Sequence, residues 1–190
     1  MIETAIELLR DELHAYITTK DASATVIIDN IGMFDTPHGN SLTNNIVLTL
    51  VNIEEEMFLK NQPPSNNPVR NSAIYENRPS FLSLYVLCSC NYSGNNYKLA
   101  LRRLSYIIQF FQSKISFSAV LSEGGNVADL KNAETVNIHF TMQLHPLSFE
   151  QVNHLWGSLG GRQMPFALYK LRLKTIKENA NVRKTPVIQK

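Results

Sequence analysis

The hydrophobic pattern changes period several times along the chain, and each change marks an element. Ile2, Ile6, Leu9, Leu13, Tyr16 and Ile17 recur at spacings of three and four, with Glu3, Glu7, Arg10 and Asp11 between them. That period predicts an opening amphipathic helix, and it is lost over residues 18–22. Residues 25–28 read as a short buried strand and 37–40 (Pro-His-Gly-Asn) as a turn. Residues 46–53 are almost all β-branched or Leu, the pattern of a central strand apolar on both faces, and they run into Glu54, Glu55 and Glu56. Residues 61–77, rich in Asn, Pro and Ser, read as a flexible loop.

Residues 81–90 form the next strand, with Leu82, Leu84, Val86, Cys88 and Cys90 on one face by the two-residue period. A turn over 91–96 leads to a helix whose stripe is Tyr97, Leu101, Leu104, Ile108 and Phe111, with Arg102 and Arg103 outside it. Residues 115–121 read as a short strand. Val136, Ile138, Phe140, Met142 and Leu144 alternate strictly with polar residues, a strand with one wet face. Ser148 with Gln151 is a capping box that opens a helix, Leu147 can staple onto Val152, and Gly160-Gly161 stops it. Residues 165–173 close the pattern, with Ala167, Tyr169, Leu171 and Leu173 inward and Lys170, Arg172 and Lys174 outward. The order α-β-β-β-α-β-β-α-β predicts a single α+β domain over residues 1–176. Its sheet is mixed and mostly antiparallel with helices packed on one face, and 177–190 form a basic tail.

Composition narrows the class. Of the 190 residues, 44% are hydrophobic and 18% charged, which suits a globular chain and argues against global disorder. A net charge of +2 is too small to draw nucleic acid by bulk electrostatics. Cys88 and Cys90 are the only cysteines, so a disulfide scaffold is excluded. No apolar run approaches the roughly 20 residues of a membrane helix. The first segment mixes acids into its apolar pattern, unlike a secretory leader, which predicts a cytoplasmic location.

The distribution of charge says more than its total. Residues 1–60 hold ten acids against three bases, a net of −7, and residues 170–190 hold seven bases against one acid, a net of +6. Two such patches suit head-to-tail contacts between copies; they also suit solvated faces or pairing within one chain.

Chemistry-bearing motifs are sparse. Cys88 and Cys90 read as inert core thiols. Glu150 and His154 share a helix face but lack further paired ligands. Gly157-x-x-Gly160-Gly161-Arg162 resembles a phosphate-loop fragment, yet it lies at a helix C-terminus, where the dipole repels anions. No nucleophile elbow or Walker loop is present. No catalytic, metal or cofactor residues are assigned. Trp156, the only tryptophan, is either an interface anchor or a core filler.

The block carrying Trp156, SFEQVNHLWGSLGGRQMPF continuing into ALYKLRL, resembles the signature of the cap proteins of contractile injection systems. These are phage-tail-like particles of the antifeeding-prophage and virulence-cassette type. The resemblance extends over residues 1–175. It includes the opening helix (2–17), the strand at 45–56 (NIVLTLVNIEEE), the strand at 81–87 and the helix at 97–114, which contains ALRRLSYIIQFFQSK. The segment 61–77 departs from the family pattern, and longer members carry a further C-terminal region.

The resemblance implies a phage tail-terminator-like fold and a structural assembly role, not an enzyme. Such a protein caps the distal end of the inner tube and contractile sheath, fixes their length, and acts as a homo-hexameric ring with no cofactor. Tube protein, sheath protein and other copies of the chain are the implied partners, without nucleic acid or direct membrane insertion, in a cytoplasmically assembled particle. An exposed strand edge can accept a sheath terminal segment by β-addition. Charge and placement make Glu54, Glu55, Glu56, Trp156, Arg162, Lys170, Arg172 and Lys174 the candidate partner contacts. A baseplate or tube-initiating adaptor of the same particle is the alternative role, and a small enzyme is a third.

Overall fold

The computed structural model describes residues 2–56, 72–74, 81–92, 94–122, 135–174 and 184–186. Helix α1 (Ile2–Lys20) buries Ala5, Ile6, Leu9, Leu13 and Ile17, the face its spacing predicts plus one alanine. It continues through the segment where the apolar period fails. There the Thr18 and Thr19 hydroxyls donate back to the carbonyls of His14 and Tyr16 at 2.7 and 2.6 Å, so the polar residues are satisfied inside the last turn.

Six strands form one sheet in the order β1-β2-β4-β7-β6-β5. They are β1 (Val26–Ile28), β2 (Asn45–Glu55), β4 (Phe81–Asn91), β5 (Ser116–Ser122), β6 (Thr135–Leu144) and β7 (Phe166–Lys174). Only β1 and β2 run parallel; the other neighbours are antiparallel. The expected mixed, mostly antiparallel α+β sheet is the one observed. Two further strands, β3 (Ser72–Ile74) and β8 (Lys184–Pro186), pair as a separate antiparallel ribbon. They fall in segments expected to be loop and tail, and the rest of those segments lies outside the described residues.

The two long helices share one face of the sheet. Leu9, Leu13 and Ile17 of α1 and Ala100, Ile107, Phe110 and Phe111 of α2 (Tyr97–Ser113) close over Leu48, Val86, Cys88, Tyr169, Leu171 and Phe140. Each fully buried Leu or Ile contributes on the order of 2 kcal/mol by leaving water. Helix α3 (Phe149–Ser158) lies on the opposite face, where Trp156 packs with Val47, Leu87 and Leu168. Its capping box forms as the sequence predicts. The Ser148 hydroxyl accepts from the Gln151 amide, and the Gln151 side chain accepts from the Ser148 amide. Gly160 and Gly161 take φ of 100° and 79°, and the Gly161 amide closes onto the Trp156 carbonyl at 2.6 Å. The glycine pair is therefore a helix stop.

Three positions depart from the pattern. Strand β2 is second from an edge, not central, and its double-sided burial holds only for Ile46–Thr49. Beyond Ile28 no described strand continues along β2. A bulge at Val51 breaks its register with β4, and the Ile53 amide turns to the Asn52 side chain at 2.9 Å. The stripe of α2 is rotated by about one residue: Tyr97 and Leu101 are exposed, while Ala100, Arg103 and Ile107 face inward. Arg103 accompanies the apolar residues because a counter-charge waits at the end of α1. Its guanidinium donates to Asp21 Oδ2 at 2.8–2.9 Å, to Ser23 Oγ at 2.7 Å and to the Tyr92 hydroxyl, and it stacks 4.7 Å over the Tyr92 ring.

Candidate functional site

The register of β2, β4 and β7 decides where the candidate charges go. Glu54 sits opposite Ser83, and Ser83 opposite Arg172; Asn52 faces Tyr85, and Tyr85 faces Lys170. Alternation then places these side chains on the same sheet face as α3, at the end α3 leaves uncovered. Glu56, just past β2, is the hub. One of its carboxylate oxygens accepts from Ser83 Oγ at 2.9 Å, Lys170 Nζ at 3.1 Å and Arg172 Nε at 2.9 Å. Glu54 accepts from the Tyr85 hydroxyl at 2.8 Å and from Asn52 Nδ2 at 3.2 Å. Lys170 also lies 5.7 Å above the Tyr85 ring, and the Tyr85 and His145 rings pack nearly perpendicular with centroids 5.0 Å apart.

Burial pushes the Glu56 carboxyl up, but Ser83, Lys170 and Arg172 together draw it below its ordinary value. Tyr85 is raised, first by burial and then by its bond to Glu54. The acidic strand end and the basic strand, which the sequence permits to meet between copies, thus meet within one chain. Arg172 remains half-exposed, and Glu55 and Lys174 are exposed. Arg172 and Lys174 form the exposed rim of the network, while Glu55, opposite Leu82, lies on the other face of the sheet.

Arg162 and Trp156 do not join it. Arg162 lies on the loop after α3, 3.5 Å from Asp35 and 5.2 Å over the Phe34 ring, and is mostly exposed. Trp156 is 3% exposed and meets Phe166 edge-on at 5.4 Å, so it fills the core under its helix. Ser83, Tyr85 and His145 belong to the network and were not among the sequence candidates. Only the cross-strand register reveals them. Burial pushes Cys88 upward and Cys90 up to about 12, which keeps both thiols protonated and unreactive at neutral pH. Among the described residues no three His, Cys, Asp or Glu side chains gather as metal ligands, and no helix is long and apolar enough to cross a membrane.

A largely antiparallel sheet, with two helices on one face and a short third beside an ion-paired strand end on the other, defines an α+β domain. The chain belongs to the Pvc16 N-terminal domain family, whose model matches residues 4–190. Its fold is similar to the sheath/tube terminator of PVC, an extracellular contractile injection system, in the extended state. The two share 12% identity and a TM-score of 0.57, over 100% of this chain and 62% of that one. It is equally similar to the tube-terminating cap of the anti-feeding prophage, with 14% identity and a TM-score of 0.57, over 98% of this chain and 58% of that one. The chain thus spans about three fifths of the length of these structures. No curated protein matches the sequence.

Proposed function

We propose that this chain is a tail terminator. It caps the distal end of the inner tube and contractile sheath of a phage-tail-like injection particle and fixes their length as a homo-hexameric ring. The observation that carries this reading is the family match over residues 4–190, reinforced by the shared fold with a sheath/tube terminator along the whole chain. No reaction is assigned to it, and its partners are the tube protein, the sheath protein and further copies of itself.

Physically, a growing tube presents a ring of unsatisfied subunit surfaces. A terminating ring matches that symmetry on one side and offers no equivalent surface on the other. The half-exposed Arg172 with Lys174 at the rim of the ionic network supplies charge for setting register. Of the two edge strands among the described residues, β5 with seven residues is long enough to take an added strand from a sheath subunit, and β1 with three is not. The test is electron microscopy of particles from cells lacking the gene. Sheaths of uncontrolled length, corrected when the gene is restored, are expected. Particles of normal length with normal distal ends would refute the assignment, and loss of all tails would replace it with an initiating role.

A further inference from the structure

Helix α2 carries more apolar surface than the core uses. Its buried positions are Ala100, Arg103, Ile107, Phe110 and Phe111, and it meets α1 through Arg103 and Phe110. Tyr97, Leu101, Leu104 and Ile108 lie about a quarter-turn further round, on the flank away from α1. Tyr97 is 55% and Leu101 43% exposed. Each is followed directly by an exposed base, Lys98 and Arg102, and α2 contains no acid. Both bases sit near the N-terminus, where the helix dipole disfavours cations, so they do not serve the stability of α2 itself.

Helix α1 opens with the same pattern in the opposite charge. Ile2-Glu3 and Ile6-Glu7 repeat at four residues, as Tyr97-Lys98 and Leu101-Arg102 do. Glu3 and Glu7 are exposed on the flank of α1 turned away from α2, and Arg10 beside them is taken by Asp11 at 2.6 Å. Ile28, 41% exposed, adds apolar surface next to Ile6. Residues four apart stand about 6 Å apart along a helix, so the acidic pair and the basic pair match in spacing. Among the described residues none of these four charges has an ion-pair partner. A chain cannot join its own two pairs. Asp21 meets Arg103 and Glu12 meets Lys114, so the helices run antiparallel. Glu7 then lies about 20 Å from Arg102 along the axes, at the opposite corner of the helical layer.

We propose that this end of α2 in one copy docks on the opening turns of α1 in the next, with Lys98 and Arg102 against Glu3 and Glu7 and with Tyr97 and Leu101 covered between them. A second copy is the occupant because the chain itself carries the complement, in charge and in spacing. The two patches differ, so the contact is heterologous and repeats head to tail. A stable contact buries about 1,200 Å² or more, so the helix ends anchor a wider surface. This rests on the terminator reading and deepens it by naming the contact that builds the ring.

Charge reversal tests it. Glu3→Lys with Glu7→Lys gives an acid-reversed chain, and Lys98→Glu with Arg102→Glu a base-reversed one. All four positions are exposed, and urea midpoints check that each chain folds. Sedimentation of the purified chains reads self-association. Each reversed chain alone should associate at least about tenfold more weakly, because like charges then face each other. An equal mixture of the two should regain the wild-type strength, and so should a chain carrying all four reversals. In the wild type, carbodiimide, which joins a carboxylate to an amine in contact, should link Glu3 or Glu7 of one copy to Lys98 of another.

Folded reversed chains that associate as the wild type does, or whose mixture stays apart, overturn the contact. A wild-type chain without the Glu–Lys98 link, concentrated in solution or in particles, overturns it as well. If particle length still depends on the gene, the terminator role survives that result. A linked ladder from a chain whose loss leaves particle length unchanged keeps the contact and removes the terminator role.

Discussion

Replacing Arg103 by Met removes a charge that is 2% exposed from the junction of α1, α2 and the end of β4. The methionine retains most of the apolar contact, so the loss is electrostatic. Removing one partner of a buried ion pair costs about 3–5 kcal/mol. The Asp21 side chain keeps 19% exposure and can recover water, which places the expected cost near the lower figure, about 3 kcal/mol. For a domain of this size that lowers Tm by about 6–12 °C. The assay is urea unfolding at pH 7 of the wild type, Arg103→Met, Asp21→Asn and the double variant. If the two side chains stabilise each other, the double variant costs less than the sum of the singles, with a coupling of about 2 kcal/mol. A coupling below about 0.5 kcal/mol, or an Arg103→Met chain as stable as the wild type, would refute the claim that the pair fastens α2 to α1.

Acid should weaken the fold through two carboxyls. Asp21 is held down to about 2, first by its hydrogen bond from Ser23 and next by Arg103, and Glu56 is also depressed. Both bind protons less readily folded than unfolded. Their contribution is therefore complete above about pH 4.5 and is lost as pH falls towards 2. Urea midpoints at pH 7, 4.5 and 2.5 check this, and a combined Asp21→Asn, Glu56→Gln chain should show a visibly flatter fall; an unchanged profile would contradict it. Trp156→Ala should cost about 3–5 kcal/mol by opening a void under α3. Trp156→Phe keeps one ring in place and should cost clearly less than Trp156→Ala, because the void is smaller and the buried indole N–H has no acceptor among the described residues. A loss as large for Trp156→Phe as for Trp156→Ala would contradict this.

Strict local patterns carried most of the architecture. The 3.6-residue period of α1, the alternation in β6 and β7, and the Ser148–Gln151 box at the head of α3 depend on neighbours a few residues away, and they stand where the sequence places them, except that Leu144 at the end of β6 is exposed. Positions set by distant partners were not legible. Arg103 reads as a surface residue until Asp21, 82 positions away, comes to meet it. Strand β2 reads as central because its apolar run is long, yet its neighbour β1 has only three residues. The charge asymmetry between the first third and the tail was visible, but whether it joins copies or closes within one depends on β4 lying between β2 and β7. Ser83 and Tyr85 on that strand complete a network that no spacing in the sequence announces. Trp156 resolves towards the core for the same reason, since Phe166 and Leu168 arrive from the following strand.

The kink in β2 bears on how copies of the chain meet at high concentration. A straight, unpaired strand edge would serve as a template on which free copies stack into fibres. Here the edge bends at Val51, the Ile53 amide is occupied by its neighbour's side chain, and Glu54 and Glu55 follow. Two copies meeting edge to edge along that flank would bring carboxylate against carboxylate where the backbone is already bent, so the edge is a poor template for pairing.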